Sequence, residues 1–116
     1  MKIKEISSIL SGEILTKSTD LEREVHTACG SDMMSDVLAY VKDQAVLLTG
    51  LNNLQVVRTA QMMDMLCVVF VRGKIPTEQI IEMAEENNIT IIATEKTMFA
   101  ACGLLYSNGL REEFNG

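Results

Sequence analysis

Apolar residues at Ile3, Ile6 and Leu10 fall at helical spacing, and Gly12 follows where such a helix would stop. Residues 13–16 predict a short strand and residues 17–20 a polar turn. From Glu24 to Cys29 the chain alternates, with Val25, Thr27 and Cys29 on one side, which predicts a second strand. Ser31 is placed to cap the next segment. There Met34, Val37, Leu38 and Val41 recur at i, i+3, i+4 and i+7, the period of an amphipathic helix.

The remainder is more regular. Ala45-Val46-Leu47-Leu48 is an apolar run ending in Thr49-Gly50; Val68-Val69-Phe70-Val71 ends near Gly73; residues 89–93 end at Thr94. Each run precedes a helical pattern. Val56, Val57, Ala60 and Met63 line the first, Thr77, Ile80, Ile81 and Ala84 the second, and Met98, Ala101, Cys102 and Leu105 the third. Pro76 stands near the start of the second, where proline is tolerated. The unit recurs at about 22 residues, short for a solenoid. Short continuous apolar strands alternating with helices predict an α/β fold: a three-layer α/β/α arrangement around a mostly parallel, or mixed, sheet. One domain is expected over residues 1–116. Residues 1–44 carry a helix, two short strands and a helix, residues 45–107 three β-loop-α units, and residues 108–116 a polar tail.

Composition narrows the function classes. Of 116 residues, 47% are apolar and 22% charged, a balance that folds without disulfide or metal. The net charge of −6 argues against a protein that tracks a nucleic-acid backbone. No apolar run approaches the roughly 20 residues of a membrane span, and residues 1–10 lack the pattern of a signal peptide, so a cytoplasmic protein is expected. Cys29, Cys67 and Cys102 form neither a disulfide framework nor a zinc-ligand pair, and Cys67 and Cys102 are expected in the core. His26 is the single histidine, and its odd separation from Cys29 along a strand argues against a Cys–His dyad.

In open parallel sheets, ligands bind beyond the carboxyl ends of the strands. Those ends here carry Thr49, Gly50, Asn52 and Asn53, then Arg72, Gly73 and Lys74, then Thr94, Glu95 and Thr97. Backbone N–H groups at helix starts, with Arg72 and Lys74, suit an anion. The same Thr, Asn and Gly also serve as ordinary caps and turns. Neither GxGxxG nor GxxxxGK[ST] is present, so a dinucleotide fingerprint and a P-loop are both missing. Glu78, Glu82, Glu85 and Glu86 read as the solvated face of one helix. Asp32 and Asp36, four apart, would share a helix face, either complementing the helix dipole or offering two ligands to a divalent cation. Cys29, Gly30, Asp32 and Asp36 thus form a second candidate surface, or a strand-to-helix turn. The methionines, Met33-Met34 and Met62, Met63 and Met65 among them, fill a core or build an adaptable interface.

The stretch from Ala45 to Leu105 resembles a DRTGG domain. It has a strand ending in Thr49-Gly50, a helix, a strand followed by Gly73 and Pro76, a helix, and Ile91-Ile92-Ala93-Thr94 leading into a last helix. The N-terminal part, with Gly12-Glu13-Ile14-Leu15, residues 21–25 and Cys29-Gly30-Ser31-Asp32-Met33-Met34-Ser35-Asp36-Val37, looks like stand-alone members of that family. It is also similar to the N-terminal domain of HPr kinase/phosphorylase. The resemblance implies a three-layer α/β/α domain and no kinase activity, since that enzyme's P-loop lies in its C-terminal domain. It implies a regulatory or structural role, because DRTGG domains accompany CBS domains in some inorganic pyrophosphatases. It also implies a protein partner, because stand-alone relatives in anaerobic bacteria are often encoded near iron hydrogenase subunits and signalling kinases. The name-giving residues differ: Leu51-Asn52 stands in place of Asp-Arg, and Val71-Arg72-Gly73 in place of Thr-Gly-Gly.

The leading expectation is a non-catalytic, homodimeric regulatory domain sensing a small anionic ligand, an adenine nucleotide first, at Thr49, Gly50, Asn52, Arg72, Gly73, Thr94 and Thr97. The alternative is an interaction module that docks on a redox enzyme or signalling kinase and binds no small molecule. An enzyme ranks last, for want of a nucleophile–base pair, a metal cluster or a cofactor motif. No cofactor, nucleic-acid or membrane partner is expected.

Overall fold

The computed structural model describes residues 1–39 and 44–111. The elements run α1 (Ile3–Leu10), β1 (Glu13–Ile14), β2 (Thr27–Gly30), α2 (Met34–Ala39), β3 (Ala45–Thr49), α3 (Leu54–Met62), β4 (Cys67–Phe70), α4 (Glu78–Glu86), β5 (Thr90–Ala93) and α5 (Met98–Ser107). Five strands form one sheet in the order β1-β5-β4-β3-β2. β2 to β5 are parallel and β1 lies antiparallel along β5, so the fold is the expected α/β type with a mostly parallel, mixed sheet.

Strand alternation splits the core into two layers. Ala45, Leu47, Val68, Phe70 and Ile91 face α2, α3 and α4. Val46, Leu48, Cys67, Val69 and Ile92 face α1 and α5. Residues of β3 and β4 are buried on both faces, which is why these strands read as continuous apolar runs. The crossover helices α2, α3 and α4 share one face, whereas α5 leaves β5 for the other. The chain therefore parts to opposite faces after β4 and β5, the place where open sheets form a ligand crevice. Here the two loops close it by bonding to each other: Arg72 N–H donates to Lys96 O at 2.8 Å and Gly73 N–H to Thr94 O at 2.9 Å.

Several local expectations shift. Helix α1 ends on Ser11, in the left-handed region at φ 51°, rather than on Gly12. Gly12 serves close approach instead, since a methyl there would lie 2.6 Å from Ile92 Cγ2 of β5. Strand β2 begins at Thr27, not Glu24; Val25 packs with α1 and α5 while Cys29 packs in the opposite layer, so the alternation does not span the segment. Ser31 does not cap α2: its hydroxyl accepts from Met33 N–H at 3.0 Å, closing a tight turn before the helix. Val41 lies outside the described residues. Cys102 is only half-buried, unlike Cys67. The methionines divide, with Met34 and Met65 in the core and Met33 and Met62 more than 60% exposed. Glu78, Glu82 and Glu86 face solvent as expected, while Glu85 accepts from Lys17 N–H at 2.6 Å.

Candidate functional site

Each parallel strand delivers its last residue to the same end of the sheet, so the turns after β2, β3, β4 and β5 gather there. Thr49 closes β3 and is fully buried. Its hydroxyl accepts from Leu51 N–H at 3.1 Å, which turns the chain, and donates to Asp32 Oδ1 at 3.1 Å. The Gly50 N–H donates to the same oxygen at 2.6 Å, a short charge-assisted bond. The other carboxylate oxygen, Oδ2, stands 3.8 Å from Arg72 Nη2. Three donors from two neighbouring strand ends thus converge on one carboxylate carried by the turn after a third.

Two local features place Arg72. Its backbone is left-handed, φ 58°, followed by Gly73 at φ 70°. That conformation is uncommon outside glycine and is held here by the bonds to Lys96 and Thr94. It sends the guanidinium across Gly50, where any side chain would overlap Arg72 Nη2 and sit 3.2 Å from its Cζ. A Thr-Gly after β3 and an Arg-Gly after β4 are therefore complementary: the glycine leaves the space and the strained turn fills it. Arg72 and Asp32 side chains are both about half-exposed, at 51% and 50%.

The remaining candidates divide. Asn52 donates from Nδ2 to Ile75 O at 3.1 Å and ties the β3–α3 loop to the β4–α4 loop. Gly73 lies against Glu95, with a methyl at Gly73 falling 2.6 Å from Glu95 Oε2. Thr94 is buried, and its hydroxyl donates at 2.8 Å to the carbonyl of Leu10 at the end of α1, so it faces away from the cluster. The Thr97 hydroxyl caps α5 by accepting from Ala100 N–H at 3.2 Å.

The second surface does not hold together as expected. Asp32 precedes α2 instead of riding on it, so it does not share a helix face with Asp36, which is exposed in the first turn. Asp32 instead joins the Thr49–Gly50–Arg72 cluster. Cys29 packs toward α2 to α4, and Gly30 faces α5, its missing methyl 2.8 Å from Cys102 Sγ. His26 lines a separate polar groove with Met1, Glu5 and Asn108. Among the described residues no group of three or more His, Cys, Asp or Glu is placed to hold a metal ion. Burial pushes the Cys67 thiol up to about 12, and burial, then the neighbouring Cys29, raises that of Cys102. Both thiols are thereby held in the neutral, unreactive form. Among the described residues no helix is long and apolar enough to cross a membrane.

The arrangement can hold a compact anion through one backbone N–H, one hydroxyl and one guanidinium. Sequence spacing gave no sign that Asp32 would meet Thr49 and Arg72, because the contacts arise from parallel pairing of β2, β3 and β4.

Comparison with known proteins agrees with this fold. The regulatory region of Clostridium perfringens pyrophosphatase, comprising its CBS and DRTGG domains and complexed with the activator diadenosine tetraphosphate, superposes with a TM-score of 0.75 at 22% identity. The match covers 90% of this chain and 45% of that one, so the chain spans less than half the length of that regulatory region. No curated protein matches the sequence. The DRTGG domain profile matches residues 5–107, through both core layers and helices α1 to α5 apart from the first residues of α1. The chain belongs to the DRTGG domain family.

Proposed function

We propose that this DRTGG domain is a non-catalytic regulatory domain that senses a small anionic ligand and acts as a homodimer, with an adenine nucleotide as the first candidate ligand. One observation carries the reading: Gly50 N–H, the Thr49 hydroxyl and the Arg72 guanidinium converge on a single anion position at the carboxyl end of the sheet. The cluster supplies donors and a cation but no nucleophile poised beside a base, which suits binding rather than turnover. The dinucleotide activator bound by the pyrophosphatase regulatory region makes adenine nucleotides the natural panel. The test is thermal unfolding with adenine and guanine nucleotides, with and without Mg²⁺. Ligand at ~100 times its Kd adds about 2.7 kcal/mol, which raises Tm by about 10 °C for a chain of this size. Arg72→Ala should abolish the shift; an unchanged shift in that variant removes the site. Sedimentation equilibrium tests the dimer, and a monomer at micromolar concentration refutes it.

A second reading is a protein-interaction module for a redox enzyme or signalling kinase. Its support is that Met33 and Ile75, each 61% exposed, and Phe99, 90% exposed, all follow parallel strands and so surround the same end of the sheet. This reading expects no nucleotide shift. It also expects a retained partner that is lost on Phe99→Ala.

A further inference from the structure

The anion position described above is filled by the protein's own Asp32. We infer that Asp32 is a built-in competitor: its carboxylate stands in for the ligand's phosphate and must leave before that phosphate binds. This rests on the anion site proposed above and adds its regulation.

The geometry supports displacement over permanent structure. Only the Gly50 N–H bond to Asp32 is short, at 2.6 Å; the Thr49 hydroxyl is at 3.1 Å and Arg72 at 3.8 Å, too long for a paired, two-bond clamp. Asp32 and Arg72 are half-exposed, so their attraction is weakened by water. By contrast Thr49 and its strand are fully buried and do not move without disturbing the core. The mobile partner in any exchange is therefore the Asp32 side chain on its surface turn. That turn is short and separately anchored: Ser31 N–H donates to Leu48 O at 3.0 Å, and the Ser31 hydroxyl holds Met33 N–H. The carboxylate can rotate out without unravelling β2.

The competitor also sets the class of ligand. A singly charged carboxylate or halide gains nothing by replacing Asp32, because it offers the same donors the same charge and pays for ordering. A phosphate carrying about two negative charges offers more charge and more acceptor oxygens to the same three donors. The site should thus pass over acetate and chloride and accept pyrophosphate or a nucleotide polyphosphate. Binding releases the Asp32 side chain to solvent, while the Ser31 bonds to Leu48 and Met33 keep the turn in place.

Calorimetric titration of pyrophosphate, ATP and acetate into wild type, Asp32→Ala, Asp32→Asn and the double variant Asp32→Ala with Arg72→Ala tests this. If the closed arrangement holds about nine-tenths of the molecules, removing the competitor tightens apparent binding about tenfold. Asp32→Ala should therefore bind pyrophosphate about tenfold more tightly than wild type, or bind it where wild type does not, and should begin to accept acetate. Asp32→Asn removes the charge but leaves an oxygen for Gly50 N–H; it guards against misfolding and should give a smaller gain. Adding Arg72→Ala to Asp32→Ala should remove the gain. Wild type binding pyrophosphate while both Asp32 variants bind it equally or more weakly overturns the competitor and leaves the anion site standing. No binding by wild type or by either Asp32 variant overturns the anion site and the competitor together.

Discussion

Thr94 offers a sharp test, because sequence reading placed it on the ligand rim and the structure gives its hydroxyl a different task. Thr94 is 3% exposed and its Oγ1 donates at 2.8 Å to Leu10 O, whose residue is fully buried. That carbonyl is among those left without an intrahelical partner at the end of α1. Thr94 Oγ1 in turn accepts from Lys96 N–H at 3.3 Å. Thr94→Val keeps the shape and removes the hydroxyl, so a buried carbonyl loses its donor. The loss of one such bond with its partner stranded costs about 1–3 kcal/mol. At about 4 °C per kcal/mol for a chain of this length, Tm should fall by about 4–12 °C. The assay pairs thermal or urea unfolding with pyrophosphate titration of the same variant. Stability should drop while anion affinity, measured well below the new Tm, stays within twofold of wild type. A variant as stable as wild type, or one that keeps its stability and loses the anion, refutes the assignment of this hydroxyl to the α1–β5 contact.

Phe70→Ala should cost about 3–5 kcal/mol in urea unfolding, because Phe70 is the largest fully buried side chain among the described residues and lies between the sheet and the α2–α4 layer. A loss below 1 kcal/mol would mean that layer collapses around the gap. Cys67, raised to about 12 by burial, should resist a thiol reagent at pH 8 in the native protein and react only on unfolding; mass spectrometry of the labelled peptides reads this, and rapid native labelling of Cys67 contradicts it. Hydrogen bonds from Lys4 and Lys2 lower the carboxyl of Glu22 below its usual 4.5. The linked stabilisation is present above that value and is lost as pH falls through the lowered one. The Tm difference between wild type and Glu22→Gln should therefore be small, greatest at neutral pH and gone in strong acid. A difference that grows in acid would contradict that sign.

Elements whose signal is local were legible in the sequence. The paired apolar runs of β3, β4 and β5, the periodic positions Val56, Val57 and Ala60, and the turn after β4 all appear where spacing placed them. Local rules failed where another part of the chain supplies the constraint. Gly12 looked like a helix stop and is instead the point where β5 comes close. Asp64 and Asn88, at φ 54° and 55°, end α3 and α4 without glycine, which residues of this type tolerate and composition does not reveal. Val25 and Cys29 alternate in sequence, yet β2 begins only where Thr27 pairs with Ala45.

The residue pattern alone specifies the α/β architecture, the mostly parallel sheet and the end of it where chemistry gathers, because continuous apolar strands can be buried only between two helical layers. It also specifies that Thr49-Gly50 and Arg72-Gly73 lie at that end. How these residues relate to one another depends on long-range pairing. Pairing of β2, β3 and β4 puts Asp32 on Thr49 and Gly50, seventeen and eighteen residues away, and lays Arg72 across the space that Gly50 leaves. The departure of α5 to the opposite face from α4 turns Thr94 inward to α1. Such contacts depend on strand order and register, which arise from the summed burial of the whole core and leave no mark in the spacing of any single segment.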